Sequence, residues 1–243
     1  MTLCFSASLW QVWMALRPVI LHERSPGCKQ ESHRVKLIMM NRALIVVDVQ
    51  NDFCPGGALA VVNGDEVVAP LNQLIKEFLD RGDPVFKTRD WHPAKTRHFQ
   101  AYGGTWPVHC VQGTRGAEFH PELLDDPRIT TISKGVDENA DGYSGFDGTD
   151  LAALLRRKGV EEVWVGGLAT DYCVKHTALD ALREGFKVKA LAEAMRAVNV
   201  NSTDGARAIK EMRKAGAEII GDASKAAGGR VVSGKREAGS GKR

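Results

Sequence analysis

One stretch of the chain combines a strand end, a pair of glycines and a cysteine, in the order Gly166-Gly167-Leu168-Ala169-Thr170-Asp171-Tyr172-Cys173. The apolar, β-branched run at 160–165 before it predicts a buried strand. Apolar residues at helical spacing over 174–182 predict a helix after it. Thr170 and Asp171 are residue types that cap the N-terminus of a helix. The sequence therefore places Cys173 in the first turn of a helix that leaves a sheet.

A cysteine in that position can act as a nucleophile. Unpaired backbone N–H groups and the helix dipole would stabilise the Cys173 thiolate. The same N–H groups would hold an oxyanion once the sulfur attacked a carbonyl. The alternative is that Cys173 is a buried, inert thiol, which is a common role for a single cysteine.

Charged residues end three other predicted strands. Asp48, Asp90 and Lys134 each follow an apolar or β-branched run. In open parallel sheets, ligands bind beyond the carboxyl ends of the strands, where these residues would converge with Cys173. Asp48 could take the proton of the thiol if burial raised its pKa, and Lys134 could hold thiolate and carboxylate together by charge. The alternative is an ion pair between Asp48 and Lys134 at the sheet edge.

A second cluster of polar residues has the spacing of a metal site. Asp90 and His92 point the same way on an extended segment, and His98 and His109 lie on the loop that follows. One carboxylate with three imidazoles suits Zn, Fe(II) or Mn(II). Four of the seven histidines lie between positions 92 and 120. The alternative is a set of solvated loop histidines.

The elements that must position these residues alternate between strand and helix. This alternation predicts a three-layer α/β/α fold with a six-stranded, mostly parallel sheet. The long segment 91–126 has no regular pattern, and loops of that length are usually functional. Strands are predicted at 42–48, 84–90, 129–134, 160–165, 186–191 and 217–220, and helices at 66–79, 149–158, 174–182 and 203–215.

The two ends of the 243-residue chain differ from its middle. Residues 1–40 carry five Lys and Arg against two Glu and are expected to lie outside the fold, as a targeting segment or an over-long gene start. Residues 41–221 form the predicted domain. Residues 222–243, with six Lys and Arg against two acids, are predicted to be a disordered basic tail. The domain itself is mildly acidic, so we expect no nucleic-acid partner.

Composition also bears on the compartment. The chain has five cysteines and no CxxC pair, which argues against a disulfide framework and for a reducing, cytoplasmic location. No apolar run approaches the length of a membrane-spanning helix, so we expect no membrane partner.

Taken together, these residues resemble the nicotinamidases of the isochorismatase-like hydrolase superfamily. The resemblance covers about residues 41–221. The segments that carry it, in family order, are Ala43-Leu44-Ile45-Val46-Val47-Asp48-Val49-Gln50-Asn51-Asp52-Phe53-Cys54-Pro55-Gly56-Gly57, Asp90-Trp91-His92, His98-Phe99, Trp106-Pro107-Val108-His109-Cys110, Lys134-Gly135, Tyr143-Ser144-Gly145-Phe146 and the Cys173 turn.

The resemblance implies roles for the catalytic residues. It makes Asp48 the general base, Lys134 its charge partner and Cys173 the nucleophile. The backbone N–H groups of Ala169 and Cys173 would form the oxyanion hole. The family's cis peptide in this turn would fall between Leu168 and Ala169.

The resemblance also implies a metal and a pocket. Asp90, His92, His98 and His109 would hold one divalent ion (Zn, Fe or Mn), with water completing its shell, and the ion would face the pyridine nitrogen of the substrate. Three aromatic residues, Phe53, Trp106 and Tyr143, would flank the flat ring.

The implied activity is a metal-dependent hydrolysis of nicotinamide, and of pyrazinamide, to the acid and ammonia through a cysteine thioester, within NAD salvage. Two alternatives remain open from the sequence: a related amidase acting on a carbamoyl or ureido compound, and a non-catalytic protein that kept the pocket. The expected partner is a small-molecule substrate, and the chain is either a monomer or a homo-oligomer.

Overall fold

A computed structural model of the protein describes residues 41–228. Six strands in this range form one sheet in the order β3-β2-β1-β4-β5-β6, and every neighbouring pair is parallel. The strands are β1 (Arg42–Val47), β2 (Val85–Asp90), β3 (Thr130–Lys134), β4 (Glu162–Leu168), β5 (Lys187–Arg196) and β6 (Glu218–Ile220). The helices are α1 (Val68–Arg81), α2 (Leu151–Arg157), α3 (Lys175–Arg183), α4 (Asp204–Ala215) and α5 (Ala223–Ala227).

Both faces of the sheet are covered, as the apolar strand runs predicted. Successive side chains of a strand point to opposite faces. In β1, Leu44 and Val46 accordingly join the apolar cluster that contains α1, whereas Ala43, Ile45 and Val47 join the cluster that contains α2, α3 and α4. The predicted three-layer α/β/α fold is confirmed, and the sheet is parallel throughout the described residues.

The order of the strands reverses between β1 and β4. The chain first moves outward from β1 to β2 and β3, then returns to place β4 on the other side of β1. Connections on the two sides of such a switch point diverge, which leaves a crevice at the carboxyl ends of the two central strands. Asp48 follows β1 and Cys173 follows β4, so the fold brings both residues to this crevice.

Strand β5 is longer than its sequence indicates. It continues past residue 191 to Arg196. The register of its pairing with β4 shifts on the way, because Val165 pairs with Ala190 but Gly167 pairs with Met195. The added segment is rich in alanine, which is a weak strand former in isolation. Ala192, Ala194 and Met195 are almost completely buried, so tertiary packing decides the conformation here.

The predicted disordered range 222–243 begins too early. Helix α5 lies inside it, Ala226 is completely buried, and the Asn199 side chain donates to the Ala227 carbonyl at 2.6 Å. The small residues of this range predicted a tail, whereas Ala226 is in fact part of an apolar core cluster. The predicted extension 1–40 and the rest of the predicted tail, 229–243, lie outside the described residues. Across residues 41–228, no helix has the length and apolar character needed to span a membrane.

Candidate active site

Four charged or nucleophilic residues meet at the carboxyl edge of the sheet. Asp48, Asp90, Lys134 and Cys173 are all nearly inaccessible to solvent. Asp90 and Lys134 are paired in the register of β2 and β3, and Asp48 and Cys173 come from the two central strands. The sequence predicted this convergence from strand ends alone.

Lys134 lies at the centre of the group. Its Nζ is 2.8 Å from Asp48 Oδ2 and 3.5 Å from Cys173 Sγ, and it also contacts Asp90 Oδ1. The Gly142 carbonyl accepts a further hydrogen bond from Nζ at 2.7 Å. A buried charge needs such partners to offset the loss of water. The ion pair that was the alternative for Asp48 and Lys134 is therefore present, and the thiol is part of the same cluster.

The protonation states follow from burial and charge. Burial raises the pKa of Asp48 to about 6, with Lys134 opposing the rise. Burial also raises the pKa of the Cys173 thiol, and although Lys134 opposes this, Asp48 and Asp90 add to it, so the value lies well above that of a free thiol. The stabilised thiolate expected from the helix N-terminus is thus not what this environment favours. The raised pKa favours the thiol form of Cys173, and attack by its sulfur would require a base.

Asp48 is placed to be that base. Its Oδ1 accepts a hydrogen bond from Thr88 Oγ1 at 2.6 Å. Among the described residues, no donor meets Asp48 Oδ2 with hydrogen-bond geometry, although Lys134 lies close to it. One carboxylate oxygen of Asp48, one carboxylate oxygen of Asp90 and the Sγ atom of Cys173 all lie within 4.8 Å of one another. A carboxylate oxygen with a free lone pair beside a thiol can accept its proton.

The turn that carries Cys173 is a single wide helical turn, Thr170–Val174, which leads into α3. The peptide bond between Leu168 and Ala169 is cis, at the position that the family resemblance implies. Gly167 has φ of 127°, and a Cβ there would lie 2.0 Å from the Val47 carbonyl oxygen. The glycine is required because β1 and β4 approach too closely for any side chain.

The predicted helix-capping roles of Thr170 and Asp171 are wrong. Neither side chain caps the helix. The carboxylate of Asp171 instead accepts the backbone N–H groups of Val198 and Asn199, both at 2.8 Å, and so ties the turn to the segment after β5. Thr170 Oγ1 is buried with no hydrogen-bond partner among residues 41–228. The Asp171 carboxylate thus accepts hydrogen bonds from two backbone amides that are distant in sequence, and not from the N–H groups of its own helix.

The three predicted metal-binding histidines also meet. His92, His98 and His109 are at most 4% exposed, and one ring nitrogen of each lies within 4.8 Å of the others. Asp90 Oδ2 is 3.7 Å from His92 Nε2 and 4.0 Å from His109 Nε2. Burial lowers the pKa of His109 to about 4 and also lowers that of His98, so both are neutral at neutral pH. Solvated loop histidines are not what the structure contains.

In each of these three histidine rings, Nδ1 lies within hydrogen-bond distance of an oxygen acceptor. Carbonyl and carboxylate oxygens only accept, so each Nδ1 carries a proton, and in the neutral rings of His98 and His109 the Nε2 atom keeps its lone pair. Nε2 of His92 is buried without a partner in the described part of the chain. Rings oriented through Nδ1, one of them with a buried Nε2 that has no partner, fit a divalent metal ion. The Nδ1 partners are Gly135 O for His92 (3.1 Å), Asp141 Oδ1 for His98 (3.2 Å) and Pro107 O for His109 (2.7 Å).

Asp90 joins the two clusters. One carboxylate oxygen contacts Lys134, and the other faces the histidines. Burial would raise the pKa of Asp90, but Lys134 and the neighbouring His92 outweigh it and hold the pKa below its usual range. The sequence assigned Asp90 to the metal and gave no sign of its contact with Lys134, because that contact depends on strand register.

A pocket lies over both clusters, lined by Cys173 from one and by Asp90, His98 and His109 from the other. The predicted aromatic residues Phe53, Trp106 and Tyr143 all line it, and Trp106 Nε1 donates to the Tyr143 hydroxyl at 2.9 Å. Sequence reasoning missed three further lining residues, which carry no chemical signal of their own: Leu59, Tyr172 and Val198. Thiol, histidines and aromatic walls therefore share one small cavity, which suits a flat molecule with a reactive carbonyl group.

Comparison with known proteins agrees with this geometry. The isochorismatase domain model matches residues 42–224. The nicotinamidase of Escherichia coli (strain K12) is 42% identical over 202 residues, which cover 74% of this chain and 95% of that protein. The crystal structure of the pyrazinamidase of Pyrococcus horikoshii in complex with zinc superposes with a TM-score of 0.71 at 45% identity, covering 75% of this chain and 99% of that chain. PnC1 from L. infantum in complex with nicotinate gives a TM-score of 0.69 at 37% identity, covering 74% and 92%.

The parallel fold, with a buried thiol, carboxylate and lysine side by side at the carboxyl edge of its sheet, is that of an α/β hydrolase. The chain belongs to the isochorismatase family. Within that family it groups with the nicotinamidases, which are amidohydrolases acting on the carbon–nitrogen bond of a linear amide.

Proposed function

We propose that this amidohydrolase converts nicotinamide and water to nicotinate and ammonia, and that it hydrolyses pyrazinamide in the same way. The observation that carries the proposal is the single pocket in which Cys173 and the histidine cluster are linked through Asp90. A flat ring with an amide on one side and a ring nitrogen on the other would reach both. The names of the relatives, and the nicotinate bound to one of them, support the same substrate class.

The first half of the reaction forms a thioester. Asp48 takes the proton of the Cys173 thiol, and the sulfur attacks the amide carbon. Backbone N–H groups of Ala169 and Cys173 hold the negative charge that develops on the carbonyl oxygen. Asp48 then returns the proton to the amide nitrogen, the carbon–nitrogen bond breaks, and ammonia leaves.

The second half releases the acid. Asp48 takes a proton from water, whose oxygen attacks the thioester carbon. The carbon–sulfur bond breaks, the proton passes to the Cys173 sulfur, and the acid ionises to nicotinate. Throughout, Lys134 stabilises whichever of Asp48 and Cys173 is negatively charged, since its Nζ is close to both.

The metal-binding residues in this proposal are Asp90, His92, His98 and His109. A divalent ion such as Zn, Fe(II) or Mn(II), when bound, would supply a Lewis-acid contact for the ring nitrogen of the substrate. The chain's own residues hold the ring in place as well: Phe53 lies against His109, with ring centroids 5.5 Å apart, and Trp106 and Tyr143 line the same pocket.

Nicotinate formation would place the enzyme in NAD salvage. The three cysteines in the described range are free thiols, in keeping with a reducing compartment such as the cytoplasm.

Ammonia release from nicotinamide by the purified protein tests the proposal. We expect turnover that falls on chelation of bound metal and returns on adding Zn²⁺, Fe²⁺ or Mn²⁺. The Cys173→Ala variant, measured in parallel, controls for contaminating amidases.

Two results would contradict parts of the proposal. Turnover after complete removal of the metal would refute metal dependence and would leave the proposed role of Cys173 in place. A folded, metal-loaded protein inactive on nicotinamide but active on a carbamoyl or ureido compound would refute the substrate.

A further inference from the structure

His98 differs from the other two clustered histidines in what holds its outer nitrogen. The other two rings donate to main-chain carbonyls, whereas His98 Nδ1 lies 3.2 Å from Asp141 Oδ1. In the described part of the chain, His98 is therefore the one ring of the cluster whose orienting partner is a side chain. That partner also carries a formal charge.

The loop that carries Asp141 is fastened to the segment that carries His98. The Glu138 carbonyl accepts hydrogen bonds from the Thr96 hydroxyl and from the Arg97 backbone N–H, both at 3.0 Å. Thr96 Oγ1 in turn accepts the backbone N–H of His98 at 3.2 Å. These bonds hold the two segments as one unit, so the carboxylate faces the ring from a fixed position although half of it is exposed.

The exposure of the Asp141 side chain indicates the role of its contact with His98. The Asp141 side chain is 50% exposed, whereas that of His98 is 3% exposed. An exposed acid beside a neutral imidazole contributes little to folding stability. A carboxylate that accepts the outer N–H of a metal-binding histidine, however, fixes the ring and makes its other nitrogen a stronger ligand.

We propose that Asp141 is a positioning residue for the metal site, which orients His98 and strengthens it as a ligand. The inference depends on the metal site in the proposed function. It goes beyond that function because Asp141 is not a metal ligand itself but sets the affinity for the ion through His98.

Zn²⁺ affinity tests the inference, measured on the full chain after metal removal by titration against a competing chelator at fixed pH. We expect Asp141→Ala to weaken Zn²⁺ binding about 10–100-fold, the usual cost of losing such a partner. Asp141→Asn should recover part of the loss, because its amide oxygen can still accept the N–H of His98 but carries no charge.

A nearby acid provides the matched control. The carboxylate of Asp137, in the same loop, accepts the backbone N–H of Asn139 at 2.7 Å. Asp137→Asn keeps that acceptor and should leave the Zn²⁺ affinity unchanged. The melting temperature of each metal-free variant should equal that of the metal-free parent, which separates an effect on the ligand from an effect on the fold.

The outcomes distinguish this inference from the metal site itself. If Asp141→Ala binds Zn²⁺ within about twofold of the parent while His98→Ala binds far more weakly, the role of Asp141 is refuted and the metal site stands. If the parent does not bind Zn²⁺, or His98→Ala binds it equally well, the metal site and the role of Asp141 are both refuted.

Discussion

At the scale of single residues, the site depends on one ammonium group that faces two carboxylates and a thiol. Burial lowers the pKa of Lys134, but Asp48 and Asp90 outweigh it and raise the pKa well above its usual value, so the lysine stays charged. Its charge lets two buried acids lie beside a cysteine. Burial beside these acids raises the pKa of the Cys173 thiol, so the proposed reaction needs Asp48 as its base.

Cys173→Ala should abolish ammonia release while leaving the fold and the metal content intact. In the proposed reaction the sulfur forms the bond to the substrate, whereas the proposed metal-binding residues are separate side chains. Ammonia assay, metal analysis and a thermal melt on the same preparation check this. Retained turnover would refute Cys173 as the nucleophile.

The activity should fall below a pH of about 6. Asp48 acts as a base only when ionised, and burial raises its pKa to about 6, so kcat/KM should rise with pH through that value and then level off. A pH profile of the metal-saturated enzyme measures this. An acid limb near the ordinary pKa of an aspartate would contradict the assignment.

Thr88→Val should move that acid limb to higher pH. The Thr88 hydroxyl donates to Asp48 Oδ1 and thereby favours its ionised form. A hydrogen bond to a charged group contributes about 1.5–3 kcal/mol, so its loss should raise the limb by about one pH unit or more. Thr88→Ser retains the hydroxyl and serves as the control. A limb that moved equally in both variants would exclude the hydrogen bond as the cause.

At the scale of elements, the reactive turn is held by an element distant in sequence. Strand β4 delivers the turn, but Asp171 ties it to the residues after β5 through two main-chain hydrogen bonds. Val198, one of those residues, also lines the pocket. The position of Cys173 therefore depends on the connection between β5 and α4 as well as on its own strand.

Asp171→Asn should lower kcat more than it changes KM. The amide replaces one acceptor by a donor, which leaves a buried N–H without a partner at a cost of about 1–3 kcal/mol and loosens the proposed oxyanion-binding turn. Steady-state kinetics and a thermal melt measure both effects. Asp180→Asn is the control, because the Asp180 carboxylate pairs with Arg183 on the surface. Unchanged kcat in Asp171→Asn would show that the turn keeps its geometry without this tie.

At the scale of the whole molecule, the site is built from the ends of four strands and from the long loops that follow them. The parallel sheet needs both faces covered, and each connection therefore crosses a face before it returns to the same edge. This arrangement gathers residues from positions 48 to 173 at one edge. Helix α5 packs near the connection between β5 and α4, which holds the turn that carries Cys173.

A chain of residues 41–228 should retain the activity of the full chain, whereas one that ends at 221 should be less stable and less active. The shorter chain lacks α5 and with it the buried Ala226 and the acceptor for the Asn199 side chain. Melting temperatures and ammonia release from the two truncated proteins check this. Equal stability of both would mean that α5 contributes nothing to the domain.

The sequence by itself determined the fold class and the types of chemistry present. Buried parallel strands must be apolar on both faces, so their positions stand out, and a charged residue at a strand end is conspicuous. Cys173, Asp48 and Lys134 could therefore be selected by type and position. Phe53, Trp106 and Tyr143 came from the family resemblance.

Only the tertiary structure decided how those residues act on one another. The bridging of both clusters by Asp90 depends on strand register, and the tie from Asp171 to Val198 depends on two segments that meet only after folding. The protonated state of Cys173 depends on burial beside two carboxylates. Pattern and residue type are local properties of a chain, whereas register, burial and electric field are set by residues far apart in sequence.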